Sequence, residues 1–389
     1  MANNLLDKAS VVLTPTAYNN GEALCVKPSD GSGDFDFSRA TEATRINSLG
    51  LVETIGINLP RINYEGECGS WLFEPQSTNL FNYSEDLGNS YWSDFGTEVS
   101  RNLNASQINP SGTAGSYELE GVGGLRRFGI FLTVTPSTDY TLSFYAKNID
   151  ATLLKALFTN SSVTTYTYTS EVNTTDWSRV EINFTTLTGT STSVQILRDL
   201  PIGESAYFWG LMLEQQSYAT SYIPTEGSTV TRNQDLCTNG GSLASINSTE
   251  GVLYAEIAAL VEQNLTRYIT ISNGTSSNRI IIYITNVGEI KFFVAVGGVT
   301  QAAKTVSGQT TTNFNKLAVS YKENDIKFYL NGVKVHTDTS ALTFPINTLN
   351  VINFAASNGT SSSFYGKTKA VAVWKEALSD QELTELTTI

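Results

Sequence analysis

The chain has 389 residues, which exceeds what one hydrophobic core usually serves, so two or three domains are expected. With 40% hydrophobic and 16% charged residues, the composition excludes an intrinsically disordered chain. The formal net charge of −13, without a Lys/Arg cluster, argues against nucleic-acid binding. No run approaches the roughly 18 apolar residues that a membrane-spanning helix needs.

The opening residues, Met-Ala-Asn-Asn-Leu-Leu-Asp-Lys, lack a basic region followed by an apolar one, so we expect no secretory signal. The three cysteines, Cys25, Cys68 and Cys237, are widely spaced and odd in number. They predict neither a disulfide framework nor a CxxC metal site. We therefore expect reduced thiols in a chain that folds in a cytoplasm.

Residues 1–78 contain short apolar pieces separated by Gly, Pro, Asn and Ser, too few to build an independent core. We predict an extended segment that forms short strands against neighbouring domains or other subunits. Asp30, Asp34 and Asp36 stand at the alternate positions of a calcium loop, so a structural calcium ion is one interpretation. However, Phe35 and Thr41 occupy the positions where such loops carry Gly and Glu, which favours a solvated turn that leads into a strand.

Residues 79–236 predict an all-β domain, because apolar and polar residues alternate in short runs separated by turn residues every 8–12 positions or so. Eight strands of this kind suggest a jelly roll. The predicted strands are Tyr117–Leu119, Gly129–Val134, Asp139–Ala146, Lys155–Phe158, Thr164–Thr169, Ser178–Thr185, Ser193–Leu197 and Ala206–Leu213.

Residues 237–244 form a polar linker to a second sandwich at 245–389. Residues 229–236 are either a stiff hinge or a strand paired with the amino-terminal segment. Within the second sandwich, Asn331-Gly332 predicts a type I′ hairpin turn, and Ser379 with Glu382 predicts a capped helix. The predicted strands are Gly251–Ala259, Tyr268–Ser272, Arg279–Thr285, Glu289–Val296, Lys316–Tyr321, Asp325–Leu330, Val333–Thr337, Leu349–Phe354 and Ala370–Trp374.

Sugar sites on β-sandwiches combine aromatic faces with amides and hydroxyls. Tyr166 and Tyr168 alternate with threonines and are candidates for a sugar-stacking shelf; the alternative is that they pack in the core with the threonines outward. Asn273, Asn278 and Asn358 lie in Asn-Gly-Thr-Ser loops that either contact a glycan or are simply solvated. Trp92 and Trp177 lie within apolar patterns and are interpreted as core anchors.

No catalytic arrangement is evident. Glycoside hydrolases with this type of sandwich need two carboxylates, commonly presented as Glu-x-Asp-x-x-Glu, and no such run occurs. His336 is the single histidine, with nothing to indicate a nearby nucleophile. The glycine-rich stretches at 121–124 and 297–298 are not followed by helical patterns, so they predict turns rather than phosphate-binding loops.

Several motifs together resemble a known group of proteins. Phe37-Ser-Arg-Ala-Thr-Glu-Ala-Thr-Arg-Ile-Asn, Leu59-Pro-Arg-Ile-Asn-Tyr, Leu72-Phe-Glu-Pro-Gln-Ser-Thr-Asn-Leu and Tyr83-Ser-Glu-Asp resemble the amino-terminal region of bacteriophage virion proteins. The central part, with Tyr140-Thr-Leu-Ser-Phe-Tyr-Ala-Lys, resembles the carbohydrate-binding-module jelly rolls found in them. The last part, with Phe328-Tyr-Leu-Asn-Gly-Val-Lys, resembles laminin-G-like (concanavalin A-like) sandwiches.

The resemblance implies a non-enzymatic tail or head fibre protein on the virion surface. Its expected partners are host-surface polysaccharide, other virion proteins through residues 1–78, and further copies of itself as a dimer or trimer. Two alternatives stay open: a purely structural capsid or tail component without sugar binding, and a glycan-degrading hydrolase with a close pair of acidic residues in an open cleft.

Overall fold

The computed structural model describes residues 3–261 and 265–389, and it divides into two compact units. The central unit consists of Ala43–Thr54 and Gln76–Arg232. The terminal unit consists of Met1–Glu42, Ile55–Pro75 and Asn233–Ile389. This division differs from the predicted domain boundaries, because most of the amino-terminal segment lies in the same unit as the carboxy-terminal sandwich.

The predicted all-β class is confirmed. The first twenty strands, in chain order, are β1 Val11–Leu13, β2 Tyr18–Asn19, β3 Glu22–Ala23, β4 Phe35–Ser38, β5 Ala43–Ile46, β6 Val52–Ile55, β7 Arg61–Glu65, β8 Cys68–Phe73, β9 Ser77–Asn79, β10 Val99–Ile108, β11 Ala114–Gly121, β12 Phe128–Thr133, β13 Asp139–Asn148, β14 Lys155–Phe158, β15 Thr165–Thr167, β16 Ser178–Thr185, β17 Ser191–Leu197, β18 Ser205–Glu214, β19 Val230–Arg232 and β20 Leu236–Thr238.

The remaining strands are β21 Glu250–Ala259, β22 Arg267–Ser272, β23 Arg279–Ile284, β24 Ile290–Val296, β25 Val299–Val306, β26 Asn315–Lys322, β27 Ile326–Leu330, β28 Val333–Asp338, β29 Val351–Asn353 and β30 Gly366–Trp374. Two α-helices, α1 Asn3–Lys8 and α2 Asp380–Thr387, stand near the chain ends, and a 3₁₀ turn covers Thr169–Glu171. In the described part of the chain, neither helix is long and apolar enough to cross a membrane.

In the central unit, all of which is described, two antiparallel sheets form a sandwich. One has the order β10-β11-β18-β13-β16 and the other β12-β17-β14-β15. Aromatic and aliphatic side chains fill the space between them, among them Phe144, Tyr168 and Phe208. The predicted anchor Trp92 lies in this core at 2% exposure, whereas Trp177 is half-buried against a smaller cluster around Trp209.

In the described part of the terminal unit, one large sheet runs β28-β27-β26-β21-β30-β8-β7, with β1 also paired to β30. A second sheet, β25-β24-β23-β22-β29, lies across a core that both sheets share, and a smaller one has the order β2-β3-β4-β20. Strands β1, β7 and β8 of the amino-terminal segment therefore complete a sheet that the carboxy-terminal sequence begins. The segment lacks a core of its own because it contributes to this one.

Buried charges fix this arrangement. Asp235 accepts hydrogen bonds from Arg39 Nη1 at 2.9 Å, Arg61 Nη2 at 2.5 Å and the Glu74 backbone N–H at 2.8 Å. Arg61 Nη1 also pairs with Glu74 at 2.8 Å. The side chains of Arg39, Arg61 and Asp235 have no exposed surface. Arg39, Arg61 and Glu74 of the amino-terminal segment are thus paired with Asp235 inside the terminal unit.

Local signals at the chain's end are confirmed. Asn331 and Gly332 take φ values of 50° and 80°, as the type I′ turn between β27 and β28 requires. Ser379 caps α2 through a reciprocal capping box with Glu382. The stretch at 229–236 holds strand at two places, as one of the two alternatives predicted: β19 pairs with β9, and β20, which begins at Leu236, pairs with β4.

Candidate functional site

The predicted tyrosine shelf is not formed. Tyr168 is fully buried, and its hydroxyl donates to the Ile196 carbonyl oxygen at 2.8 Å, so its ring cannot stack on a sugar. Tyr166 is half-buried against the same core, and its hydroxyl donates to Glu171 at 2.7 Å. For Tyr168 the alternative interpretation is correct. This tyrosine packs in the core, and the neighbouring Thr165 and Thr167 are exposed.

The three candidate asparagines shape turns. Asn273 accepts hydrogen bonds from the backbone N–H and the hydroxyl of Thr275, and Asn358 accepts one from the Thr360 N–H. Asn278 accepts one from the Gly297 N–H at 2.9 Å. The turns at 273–278 and 355–363 are neighbours, since Ser272 donates to the Ser357 carbonyl. A role of these asparagines in glycan contact remains a prediction.

The calcium interpretation finds no support in the carboxylate positions. Asp30 accepts hydrogen bonds from the backbone N–H and the hydroxyl of Ser32, an Asx turn. Asp34 accepts from the Cys25 N–H at 2.6 Å, and Asp36 accepts from the Asn239 amide at 2.7 Å. Among the described residues, no group of three or more His, Cys, Asp or Glu side chains converges as a metal site would.

The thiols and the histidine are not arranged for catalysis. Burial raises the pKa of Cys25 to about 12, and burial likewise raises the pKa of Cys237, so both thiols stay protonated near neutral pH. His336 is half-buried and stacks on Phe328, with ring centroids 5.2 Å apart. The pKa of Cys25 and that of Cys237 are thus shifted away from the lowered value of an activated thiol.

The central unit contains a groove that the sequence did not single out. Its volume is about 510 Å³, and its lining residues are Tyr83, Glu85, Asp86, Pro224, Thr225 and Glu226. The two lining segments are held side by side by a β-bridge between Tyr83 and Glu226 and by a hydrogen bond from the Gly227 N–H to the Asn82 carbonyl at 2.7 Å. We call this cavity the acidic groove.

Below the acidic groove, the buried Asn79 amide joins three stretches of backbone. Its Nδ2 donates to the carbonyls of Leu211 and Ile223, and its Oδ1 accepts from the Phe81 and Leu213 N–H groups. All four amide hydrogen-bonding positions are then used, so the amide acts as a rigid brace. The backbone on both sides of the groove is therefore fixed relative to the sandwich.

A chain of hydroxyls runs along one wall. Ser84 Oγ lies 2.6 Å from the Tyr222 hydroxyl, which donates to Glu85 Oε1 at 2.9 Å. Ser84 Oγ also accepts from the Thr225 N–H at 2.8 Å. Burial raises the pKa of Glu85, and the nearby negative charge of Glu226 raises it further, while hydrogen bonds to the carboxylate oppose the shift.

Two further carboxylates line the groove and offer acceptors. Glu226 is exposed, and Asp86 accepts from the Tyr117 hydroxyl at 2.6 Å. Thr225 is 7% exposed, and its Oγ1 is buried with no hydrogen-bond partner in this fully described unit.

The terminal unit has a second groove of about 510 Å³, lined by Thr249, Glu250, Lys322, Glu323, Leu342, Thr343, Phe344, Pro345 and Ile346. Its opposite charges pair with each other, as Lys322 and Glu250 lie 3.3 Å apart. Its one aromatic residue, Phe344, is only 2% exposed. Its lining therefore offers no exposed aromatic ring on which a sugar could stack.

Residues 259–384 match the family described as "Concanavalin A-like lectin/glucanases superfamily". This region holds most of the carboxy-terminal sandwich, which agrees with its predicted concanavalin A-like architecture. The match covers less than half of the chain, so it characterises that region and not the whole protein. A comparison with curated protein sequences finds no match.

Solved structures of β-sandwich proteins are similar in part. The CBM40 of Ruminococcus gnavus IT-sialidase bound to α2,6-sialyllactose is 19% identical over 39% of this chain and 93% of its own, with a TM-score of 0.32. Domain 4 of AbnA, a GH43 extracellular arabinanase from Geobacillus stearothermophilus, in complex with arabinotriose, is 13% identical over 44% and 82%, with a TM-score of 0.32.

The CBM22-1 xylan-binding domain of Xyn10C from Paenibacillus barcinonensis is 13% identical over 37% of this chain and 94% of its own, with a TM-score of 0.27. TM-scores at this level are too low to indicate a shared ligand site. What the acidic groove can bind therefore has to follow from the chemistry of its own lining residues.

Proposed function

We propose that the protein is a glycan-binding protein whose central unit holds a neutral sugar in the acidic groove. The observation that carries the proposal is the combination, in one groove, of the Tyr83 ring and the carboxylates of Glu85 and Glu226. A sugar ring has apolar faces that pack on aromatic side chains and hydroxyls that donate to carboxylates. Ligand sites commonly combine such apolar surface with a few fixed polar groups.

The charge of the groove selects among sugars. Three carboxylates line the groove, those of Glu85, Asp86 and Glu226, and no Lys or Arg is among its lining residues. A carboxylated or sulfated sugar would meet like charges, which disfavour binding. We therefore expect neutral glycans to bind and acidic glycans to be rejected.

The test is binding of the whole chain to an array of neutral, sialylated and sulfated glycans. Glu226→Gln and Tyr83→Ala should each weaken binding of the best neutral glycan about tenfold, since a hydrogen bond to a charged group or an aromatic contact contributes about 1–2 kcal/mol. Glu181→Gln, which changes a carboxylate 46% exposed elsewhere in the central unit, is the matched control and should change affinity less than twofold. Absence of binding to every glycan would refute the proposal.

Hydrolysis is a second candidate, because two carboxylates, one with a raised pKa, lie at one groove. A glycosidase requires its carboxyl groups about 5–5.5 Å or 6.5–9.5 Å apart across the scissile bond. Release of reducing ends from the bound glycan, lost in Glu85→Gln, would assign an enzyme. Stable binding without release supports a non-catalytic role.

We extend the proposal to display on a bacteriophage virion as a self-associating fibre or appendage. The support is the resemblance of residues 37–47, 59–64, 72–80 and 83–86 to amino-terminal regions of such proteins. Because a single shallow sugar site is weak, several linked copies would raise avidity by about 10²–10⁴. Light scattering of the purified chain tests self-association, and immunolabelling of intact particles tests the virion location. A monomer absent from particles would refute this extension and leave glycan binding untouched.

A further inference from the structure

An aromatic pair on the central unit lies outside the acidic groove's lining. Phe131, on the edge strand β12, is 63% exposed. Its ring meets Phe95 edge to face, with centroids 5.8 Å apart. An exposed phenyl ring offers an apolar face on which another ring can stack. We call Phe95, Phe131 and the neighbouring Arg127 the phenyl platform.

The backbone that carries Phe95 is strained. Phe95, Gly96 and Thr97 have φ values of 52°, 102° and 65°, three consecutive left-handed residues of which two are not glycine. For Phe95 and Thr97, which are not glycine, such conformations cost about 1–3 kcal/mol each, and they cluster at ligand sites, where the surrounding structure enforces them.

Side chains beside the strained turn hold it in place. Ser93 Oγ accepts from the Phe95 N–H at 3.1 Å, and Asp94 Oδ1 accepts from the Gly96 and Thr97 N–H groups. The ring of Phe95 is thus held in place by a turn that these side-chain hydrogen bonds stabilise.

A clamped guanidinium completes the platform. Arg127 lies over the Phe95 ring, with Cζ 4.7 Å from the centroid. Its Nε and Nη2 donate to the two carboxylate oxygens of Glu98 at 2.8 and 2.7 Å, and its backbone N–H donates to Glu98 as well. The bidentate pair fixes the plane of the guanidinium, whose side chain is still 27% exposed.

We propose that the phenyl platform is a second glycan site, at which a neutral pyranose ring stacks on Phe131 and its hydroxyls meet the Arg127–Glu98 pair. The inference rests on the proposed glycan binding and adds a site of a different kind, an open face for the interior of a polysaccharide chain. A protein partner fits less well, because two phenyl rings supply a small part of the roughly 800 Å² that each partner buries in a stable interface.

The test uses the whole chain in calorimetric titrations with cellohexaose, maltohexaose and chitohexaose. Phe131→Ala and Phe95→Ala should weaken binding of the preferred hexasaccharide about tenfold or remove one of two sites per chain, because each removes an aromatic ring of the platform. Phe131→Trp should retain that binding. Leu187→Ala, which removes a side chain 51% exposed in the same unit, is the control and should change affinity less than twofold.

The outcomes separate the two proposals. If the unaltered chain binds none of the three sugars and no glycan on the array, glycan binding and the platform site both fail. If the chain binds sugar and Phe131→Ala binds it equally well at the same stoichiometry, the platform site is refuted and the acidic groove stands. If Phe131→Ala abolishes self-association in sedimentation velocity without changing sugar affinity, the platform is a protein contact and the inference is overturned.

Discussion

Replacement of Asp235 by alanine tests how the amino-terminal segment is built into the terminal unit. The Asp235 carboxylate receives hydrogen bonds from two arginines and one backbone N–H, at distances of 2.5–2.9 Å, in a site with no exposed side-chain surface. Alanine removes every one of these bonds. Two buried guanidinium groups then lose their shared counter-charge.

The magnitude follows from what each arginine keeps. Arg61 retains Glu74 at 2.8 Å, and Arg39 retains the carbonyls of Thr41 and Gly56. Removal of one partner from a buried ion pair typically costs about 3–5 kcal/mol. We expect a loss of about 4 kcal/mol, against a typical total of about 5–15 kcal/mol for a folded domain.

Urea unfolding combined with hydrogen exchange on β7 and β8 measures the effect. Asp235→Asn preserves the shape of the side chain and should lose less, which separates the charge from the cavity. Asp325→Ala is the control, because Lys327 keeps Asp380 at 3.0 Å and surface pairs contribute about 0–1 kcal/mol. A loss for Asp235→Ala no greater than for Asp325→Ala would refute the reasoning, as would unchanged exchange in β7 and β8.

Two further predictions concern single side chains. Arg127 lowers the pKa of Glu98 to about 2, so the stability from this pair is present above the ordinary carboxyl pKa near 4.5 and is lost as the pH falls towards 2. Glu98→Gln should therefore reduce the stability at pH 7 by about 1–2 kcal/mol, which a lower melting temperature would show. Near pH 2 the variant and the unaltered chain should be equally stable. An equal loss at both pH values would contradict the assignment. Tyr168→Phe should reduce stability by about 1 kcal/mol, because the hydrogen bond to the Ile196 carbonyl is lost, and should leave glycan affinity unchanged. A lower affinity in a titration would instead show that Tyr168 takes part in binding.

Strand prediction succeeded where alternation and turn residues are local. Lys155–Phe158 and Ser178–Thr185 have the predicted bounds, and most other strands differ by a few residues. The strands β10 and β25 were not predicted, because their sequences are largely polar and small. Both are edge strands, where half of the backbone pairing and most of the side-chain burial are absent, so the apolar signal is weak.

Prediction of the binding residues from the sequence was less successful than prediction of the strands. Tyr168 follows the same alternating pattern as a surface tyrosine, yet the facing sheet covers it completely. The acidic groove was missed because its walls come from residues 83–86 and 224–226, far apart in the chain. Nothing local to either segment indicates that they pair.

By itself, the sequence determined the all-β class, the turn at Asn331-Gly332 and the capped helix at Ser379, because each depends on backbone preferences and hydrogen bonds within a few residues. Only the tertiary structure decided which segments share a core. Arg39 and Asp235 are 196 residues apart in sequence, and their contact joins Arg39 of the amino-terminal segment to Asp235 within the terminal unit. Long-range pairing of this kind depends on complementary burial and charge across the whole fold, which no local pattern records.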